Sequence, residues 1–139
     1  DAVAQARSAI GIPVLRSFDG VFDEALSEDR PLYVLSTAGD SVVLLQEEFQ
    51  REVQRRSRST TVSGHVVEGA LTALLSGEVA RHDDLVLNAV EMVDPEATIV
   101  FAQFSMERVL SAAIELRRQP VVGPATSAVR LLRRKIELL

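Results

Sequence analysis

The chain has no cysteine among its 139 residues. This absence excludes a disulfide framework, a thiolate metal site and a cysteine nucleophile within these residues. A cysteine-free composition suits a reducing compartment, so we expect a cytoplasmic location. The sequence also lacks an uncharged apolar run of roughly 18 residues and a basic segment followed by an apolar one, so we expect neither a membrane span nor a signal peptide.

A surplus of basic charge is missing as well. The chain carries 15 lysine and arginine residues against 20 aspartate and glutamate residues, which gives a net charge of -5 and a pI near 5.0. Because phosphate backbones attract basic surfaces, we expect no nucleic-acid partner. The nucleotide-binding loops G-x-G-x-x-G and G-x-x-x-x-G-K-[ST] are absent, as is the G-x-S-x-G elbow of serine hydrolases.

Length and composition fit a single folded domain. At 139 residues and 47% hydrophobic, the chain can bury a real core but is too short for two comfortable domains. Strand-like and helix-like segments alternate along it. This alternation predicts one α/β domain over residues 1–139, with a mainly parallel sheet and helices on both faces.

The segment around which we organise the fold is Thr98–Phe101. It is a nearly unbroken apolar run, which predicts a strand buried on both faces of the sheet. Gln103 and Ser105 follow it, and helical spacing covers residues 106–117. Polar side chains and a helix N-terminus are thus expected at the carboxyl end of a central strand, where open α/β sheets bind their ligands.

A second strand is predicted at residues 32–35, which are apolar and therefore suit an interior position. A polar turn leads from it into a predicted helix over residues 42–55. The hydroxyl side chains of the turn are Ser36, Thr37 and Ser41. The turn could hold a carboxylate or phosphate through its hydroxyls and free backbone N–H groups. The alternative is that Asp40 or Ser41 only caps the helix.

The remaining elements follow the same alternation. We expect further helices at residues 1–9, closed by Gly11, at residues 18–26, capped by Asp19, and at residues 66–75, 79–93 and 126–139. We expect short strands at residues 12–15, at a sheet edge around residues 60–62, and at residues 120–122.

The last predicted helix has an apolar and a basic face. Its buried stripe is expected to consist of Val129, Leu132, Ile136 and Leu139. Its basic side chains, which lie near the carboxyl end, are Arg130, Arg133, Arg134 and Lys135. We interpret these cations and the basic loop at residues 55–61 as solvated surface, with a partner surface and a phosphate patch as the respective alternatives.

Histidine and acidic residues give little support for a metal site. His65 follows Gly64 at a predicted helix start, and His82 precedes Asp83 and Asp84. Consecutive helix residues point about 100° apart, so the last three cannot converge on one ion. We expect no metal and no other cofactor.

Gln103 is the most informative polar residue. An amide at the mouth of a buried strand can donate and accept hydrogen bonds, but it cannot transfer protons at neutral pH. We therefore interpret Gln103 as a ligand-binding residue and not as a base. The alternative is that it only bonds to neighbouring backbone.

The order of segments resembles the aspartate/glutamate/hydantoin racemase superfamily. The resemblance is carried by IGIPVLRSFDGVFDEA, LSTAGDSV, VVEGALTALLSGEVARHDDLV, IVFAQFSM and PVVGPATSAV, which together extend over essentially the whole chain. It implies two similar Rossmann-like α/β lobes with the active site between them. One cysteine from each lobe then serves as base or acid at a carbon beside a carboxylate. On this resemblance the chain is the second lobe and C-terminal helix of a two-lobed protein.

The same resemblance implies which residues bind substrate. They are Ser36, Thr37, Ser41, Gln103 and Ser105. Gln103 stands at the second cysteine position, so a two-thiol mechanism is excluded for this chain. A one-thiol reaction would need a cysteine upstream of Asp1.

Two functions therefore compete. One is an isomerase-type enzyme that acts on a small amino acid or carboxylate with a thiol from outside these residues. The other is a non-catalytic module that binds or senses such a ligand. In either case an exposed apolar face on a single lobe predicts a homo-oligomer.

Overall fold

The computed structural model describes residues 2–138, and Asp1 and Leu139 lie outside the described residues. The strands are β1 (Leu32–Ser36), β2 (Val62–Val66), β3 (Thr98–Phe101) and β4 (Val121–Val122). They form one parallel sheet with the order β2-β1-β3-β4. The predicted α/β fold with a parallel, Rossmann-like sheet is confirmed.

Helices connect the strands. They are α1 (Ala2–Ala9), α2 (Asp19–Ala25), α3 (Gly39–Arg55), α4 (Ala70–Leu75), α5 (Val79–Glu91), a 3₁₀ helix (Phe104–Val109), α6 (Leu110–Leu116) and α7 (Pro124–Glu137). Within residues 2–138, no helix combines the length and apolar character needed to cross a bilayer.

The two strands predicted to be interior lie at the centre of the sheet. β1 pairs with β3 in a register that sets Leu32 against Thr98 and Leu35 against Phe101. All four residues of β3 are buried, and in β1 only Tyr33 is half-exposed. A strand covered on both faces has to be apolar on both, which is why the two apolar runs predicted these positions.

Helices cover both faces of this sheet, as predicted. On one face Phe22 of α2 meets Phe49 of α3 edge to face, with ring centroids 4.9 Å apart, in a core that includes Val100. On the other face Val86 of α5 belongs to the core that includes Ile99. Neighbouring residues of β3 thus point into different cores, as the two-residue period of a strand requires.

The predicted strand at residues 12–15 is wrong. This segment pairs with no strand in the described structure, and Ile12 is 67% exposed. It is held in place by Arg7, whose Nε donates to the backbone carbonyl of Val14 at 2.8 Å. Its apolar side chains form the wall of a cavity instead of a layer of the sheet.

The helix predicted to begin at residue 66 begins later. Val66 is the last residue of β2, Gly69 has a φ of +78°, and α4 starts at Ala70. A left-handed glycine interrupts the backbone, so the apolar spacing could not continue as one helix. The predicted edge strand is confirmed but lies at Val62–Val66, and exposed His65 is on it instead of at a helix start.

The start of the helix after β3 and the cap of α2 also differ from the prediction, and α3 and α7 begin two or three residues earlier than predicted, at Gly39 and Pro124. After β3 the chain enters the 3₁₀ helix at Phe104 before α6 begins at Leu110. Asp19 does not cap α2, because Phe18 occupies that position. The Asp19 carboxylate accepts a hydrogen bond from the backbone N–H of Arg16 at 2.8 Å instead.

The predicted buried stripe of the last helix is also wrong. The buried residues of α7 are Pro124, Ser127 and Leu131. The exposed fractions are 60% for Val129, 41% for Leu132 and 55% for Ile136, whereas Leu139 lies outside the described residues. α7 turns its small residues inward because α2 approaches its backbone closely at Gly20.

This close approach gives a stability prediction. A Cβ at Gly20 would lie 2.3 Å from the carbonyl oxygen of Ser127, which is fixed backbone. We expect Gly20→Ala to lower the free energy of unfolding by about 2 kcal/mol, as overpacking does. Gly39→Ala is the matched control, since nothing in the described part of the chain lies within 4 Å of that Cβ. Urea denaturation with equal midpoints for the two variants would contradict the packing.

Candidate functional site

Parallel pairing brings the carboxyl ends of β1 and β3 to the same edge of the sheet. Leu35 is paired with Phe101, so the residues that follow each strand start side by side. Thr37 comes from one strand end and Gln103 from the other. This is the edge at which the sequence predicts a ligand site.

The amide of Gln103 joins the two strand ends. Its Oε1 accepts a hydrogen bond from the backbone N–H of Thr37 at 2.8 Å and another from Thr37 Oγ1 at 2.5 Å. Thr37 is buried and Gln103 half-buried. The prediction that this amide bonds to neighbouring backbone thus holds for its oxygen. Its Nε2 has no partner within residues 2–138 and remains a donor.

Ser36 stabilises the turn. Its Oγ donates to the carbonyl of Ala38 at 2.9 Å and accepts from the N–H of Ala38 at 3.1 Å. The residue is fully buried. The Ser36 hydroxyl therefore uses both its donor and an acceptor position within the turn.

The start of α3 has free donors. Ala38 is the N-cap residue, so capping by Asp40 or Ser41 is wrong. The backbone N–H groups of Gly39, Asp40 and Ser41 precede the first intrahelical hydrogen bond, as at any helix start. They have no acceptor in the part of the chain that the structure describes. Together with the helix dipole they favour an anion at this end.

The remaining predicted residues lie in the first turn of α3 and of the 3₁₀ helix. Ser41 and Ser105 are half-buried, and neither hydroxyl has a hydrogen-bond partner among residues 2–138. Beside them the ring of Phe104 is 53% exposed and meets Phe18 edge to face at 6.2 Å. The structure thus joins Thr37 directly to Gln103, and it places Ser41 and Ser105 on the helices that start from the same edge.

One polar residue of this edge was not predicted. Glu107, on the 3₁₀ helix, accepts hydrogen bonds from the backbone N–H groups of Ala125 at 3.1 Å and Thr126 at 2.8 Å, and from the Thr126 hydroxyl. It thereby caps α7, whose N-cap residue is Gly123. A helix that begins with glycine and proline has no capping side chain of its own. The sequence thus indicates that another residue supplies the cap, but it does not say which one.

Gly123 makes room for that carboxylate. A Cβ at this position would lie 2.3 Å from Glu107 Oε2. The N-terminus of α7 is therefore occupied by a carboxylate from within the chain, whereas the N-terminus of α3 is open.

His65 pairs with Leu35 near the carboxyl end of β2 and is exposed, and no hydrogen bond within residues 2–138 joins the histidine and acidic candidates to Thr37 or Gln103. His82 is fully buried, with its Nδ1 2.8 Å from Asp83 Oδ1, so these neighbours do converge. Arg108 Nε donates to the same carboxylate at 2.8 Å. Burial alone would raise the pKa of Asp83, but the hydrogen bond that Arg108 donates and the contact with His82 lower it. Among the described residues, no three histidine, aspartate or glutamate side chains are grouped to hold a metal ion.

Comparison with known proteins gives no match: no family model, no curated protein and no solved structure is similar to this chain. The resemblance to the racemase superfamily thus depends on the sequence segments alone. The structure itself has a set of hydrogen-bond donors around the N-terminus of α3, which no described side chain caps.

The capping role of Glu107 gives a second prediction. We expect Glu107→Gln to reduce the free energy of unfolding by about 1 kcal/mol, because the N-terminus of α7 loses a charged acceptor. Glu115→Gln removes the same charge from an exposed position on α6 and serves as the control. Chemical denaturation measures both. Equal effects would show that Glu107 does not act through the helix end.

Proposed function

We propose that this edge of the sheet binds a small carboxylate, with an amino acid as the preferred ligand. The observation that carries the proposal is the fixed amide of Gln103. Because Thr37 holds Oε1, the free Nε2 is the part of the side chain left to contact a ligand. In this arrangement the amide can donate a hydrogen bond to an anion, while its oxygen stays bonded to Thr37.

The first turn of α3 supports the same proposal. Its three open N–H groups and the hydroxyl of Ser41 add donors next to Gln103, and the positive end of the helix dipole favours a negative group. Ser105 adds a further hydroxyl, which comes from the segment that follows β3. A ligand carboxylate would thus meet donors from both β1 and β3.

Asp40 supplies the argument for an amino acid over a plain carboxylate. It lies exposed in the same first turn, and its side chain has no partner within residues 2–138. A carboxylate there can pair with the ammonium group that aspartate and glutamate carry and that succinate lacks. We therefore expect aspartate or glutamate to bind more tightly than succinate.

Proton transfer is not part of this proposal. Amide, hydroxyl and backbone N–H groups do not exchange protons with a carbon acid at neutral pH without a stronger base. The isomerase activity that the racemase resemblance implies would need a thiol, and these 139 residues contain none. Such turnover remains a prediction about a longer protein, and binding is the function these residues support best.

A charge substitution tests the binding proposal. In Gln103→Glu the side chain can still accept from Thr37, but it loses the donor and repels an anion. We expect the affinity for aspartate to fall at least about tenfold, which corresponds to one lost charge-assisted hydrogen bond. Gln50→Glu makes the same change at an exposed site on α3 and serves as the control. Isothermal titration calorimetry measures both.

Two outcomes would count against the proposal. Binding unaffected by Gln103→Glu would place the ligand elsewhere, and no saturable binding of aspartate, glutamate or succinate would remove the site altogether. Incubation with aspartate in deuterated water separates the two functions. Exchange of the α-proton by the purified chain would indicate catalysis and contradict a purely binding role.

We also propose that the chain self-associates through α7. Val129, Leu132 and Ile136 recur at intervals of three and four, the spacing of a helix–helix seam, and all three are exposed. We expect Leu132→Glu to abolish dimers in sedimentation velocity runs. Leu75→Glu at the exposed end of α4 is the control and should leave them intact. A wild-type chain that sediments as a monomer at all concentrations would contradict this surface.

A further inference from the structure

A second site is suggested by a cavity away from the Gln103 edge. The cavity has a volume of about 1040 Å³ and lies between the N-terminal segment, α2 and the carboxyl-terminal parts of α3 and α7. Volumes of this order are typical of small-molecule sites. The segment at residues 12–15, which the sequence suggested was a strand, forms one of its walls.

The cavity is lined by more positive than negative side chains. Its cations are Arg7, Arg16, Arg55, Arg56 and Lys135. Its carboxylates are Asp19, Asp23 and Glu52. Five cations against three anions leave an excess of two positive charges, in a chain whose net charge is -5. A local excess of this sign attracts anions that the rest of the surface repels.

The carboxylates are each shared among several cations. Glu52 lies 2.6 Å from Arg55 Nη2, 3.2 Å from Arg56 Nε and 3.7 Å from Arg16 Nη2. The hydrogen bond from Arg55 keeps the pKa of Glu52 below its ordinary value, so the side chain is anionic at neutral pH. Asp19 likewise holds both Arg7, at 2.5 Å, and Arg16, at 2.8 Å.

Some donors in the cavity remain unused. Lys135 has no ion-pair partner within residues 2–138. Arg55 binds Glu52 through Nε and Nη2 and keeps Nη1 free in the part of the chain that the structure describes. Arginine forks and a lysine ammonium are the groups that proteins use to hold phosphate. The arginines are already oriented by their carboxylates, which reduces the entropy lost on binding.

Apolar side chains complete the lining. Ile12, Val14 and Leu131 contribute aliphatic surface, and the ring of Phe22 lies below Arg16 at 5.9 Å. An inorganic ion alone would leave this surface in contact with water. A molecule with an apolar body would cover it.

We propose that this cavity binds an organic phosphate, with the phosphate group on Arg55 and Lys135 and the apolar body against Ile12 and Leu131. A phosphate monoester near neutral pH carries close to two negative charges, which matches the excess of the lining. A carboxylate carries one. The cavity is open to solvent and has a volume that suits a small molecule, and the acidic charge of the whole chain disfavours a nucleic acid.

The test is a titration of the whole chain with three probes: phenyl phosphate, inorganic phosphate and benzoate. We expect phenyl phosphate to bind about tenfold more tightly than either of the others, because it alone offers both a dianion and an apolar ring. Lys135→Gln should weaken phenyl phosphate binding about fivefold or more. Arg133→Gln, an equal charge change on the same helix outside the cavity, should leave the affinity within about twofold.

Amide chemical shifts from NMR locate the site in the same titration. The proposal is supported if phenyl phosphate shifts residues 12–16 and 131–135, and it is overturned if the shifts centre on residues 37–41. Equal losses for Lys135→Gln and Arg133→Gln, equal binding of benzoate and phenyl phosphate, or no saturable binding would each overturn it as well. Gln103→Glu should leave phenyl phosphate binding unchanged, so the two sites can fail independently.

Discussion

The pairing of β1 with β3 is the interaction on which the rest of the structure depends. Both strands are apolar, and both can be buried only if helices cover each face of the sheet. Their parallel direction then sets Thr37 next to Gln103 without any further requirement. The position of the polar edge therefore follows from the core, since the residues that build it come at the ends of the two buried strands.

The sequence predicted those elements whose burial does not depend on distant partners. The runs around Val34 and Val100 are buried on both faces of the sheet, so local pattern was enough to predict both strands. Prediction failed where a tertiary contact decides. Gly20 admits the backbone of α7, which turns Leu131 inward and Leu132 outward. Residues 12–15 are apolar enough for a strand, but Arg7 binds the carbonyl of Val14 and the segment forms a wall of the cavity instead.

Only some residues of the candidate site could be predicted from the sequence. Gln103 could be found because it lies two residues after a buried strand, and Thr37 because it belongs to the polar turn before α3. The start of α7 at Gly123 and Pro124 indicates that a cap is missing, but it does not identify Glu107, since no spacing rule connects the two segments. Nor does the sequence reveal the cationic cavity, because the arginines and the lysine that line it come from four separate segments. Local pattern identifies strand ends, whereas charge clusters exist only after folding.

The cap on α7 links the end of the chain to its middle. Gly123 and Pro124 give the helix no acceptor of its own, so the first N–H groups are satisfied only once Glu107 is in position. A short helix in isolation is marginal in water, and one without a cap is weaker still. The last element of the domain should therefore form late, after β3 and its 3₁₀ turn have settled. The formation of α7 should therefore depend on the prior assembly of the centre of the sheet.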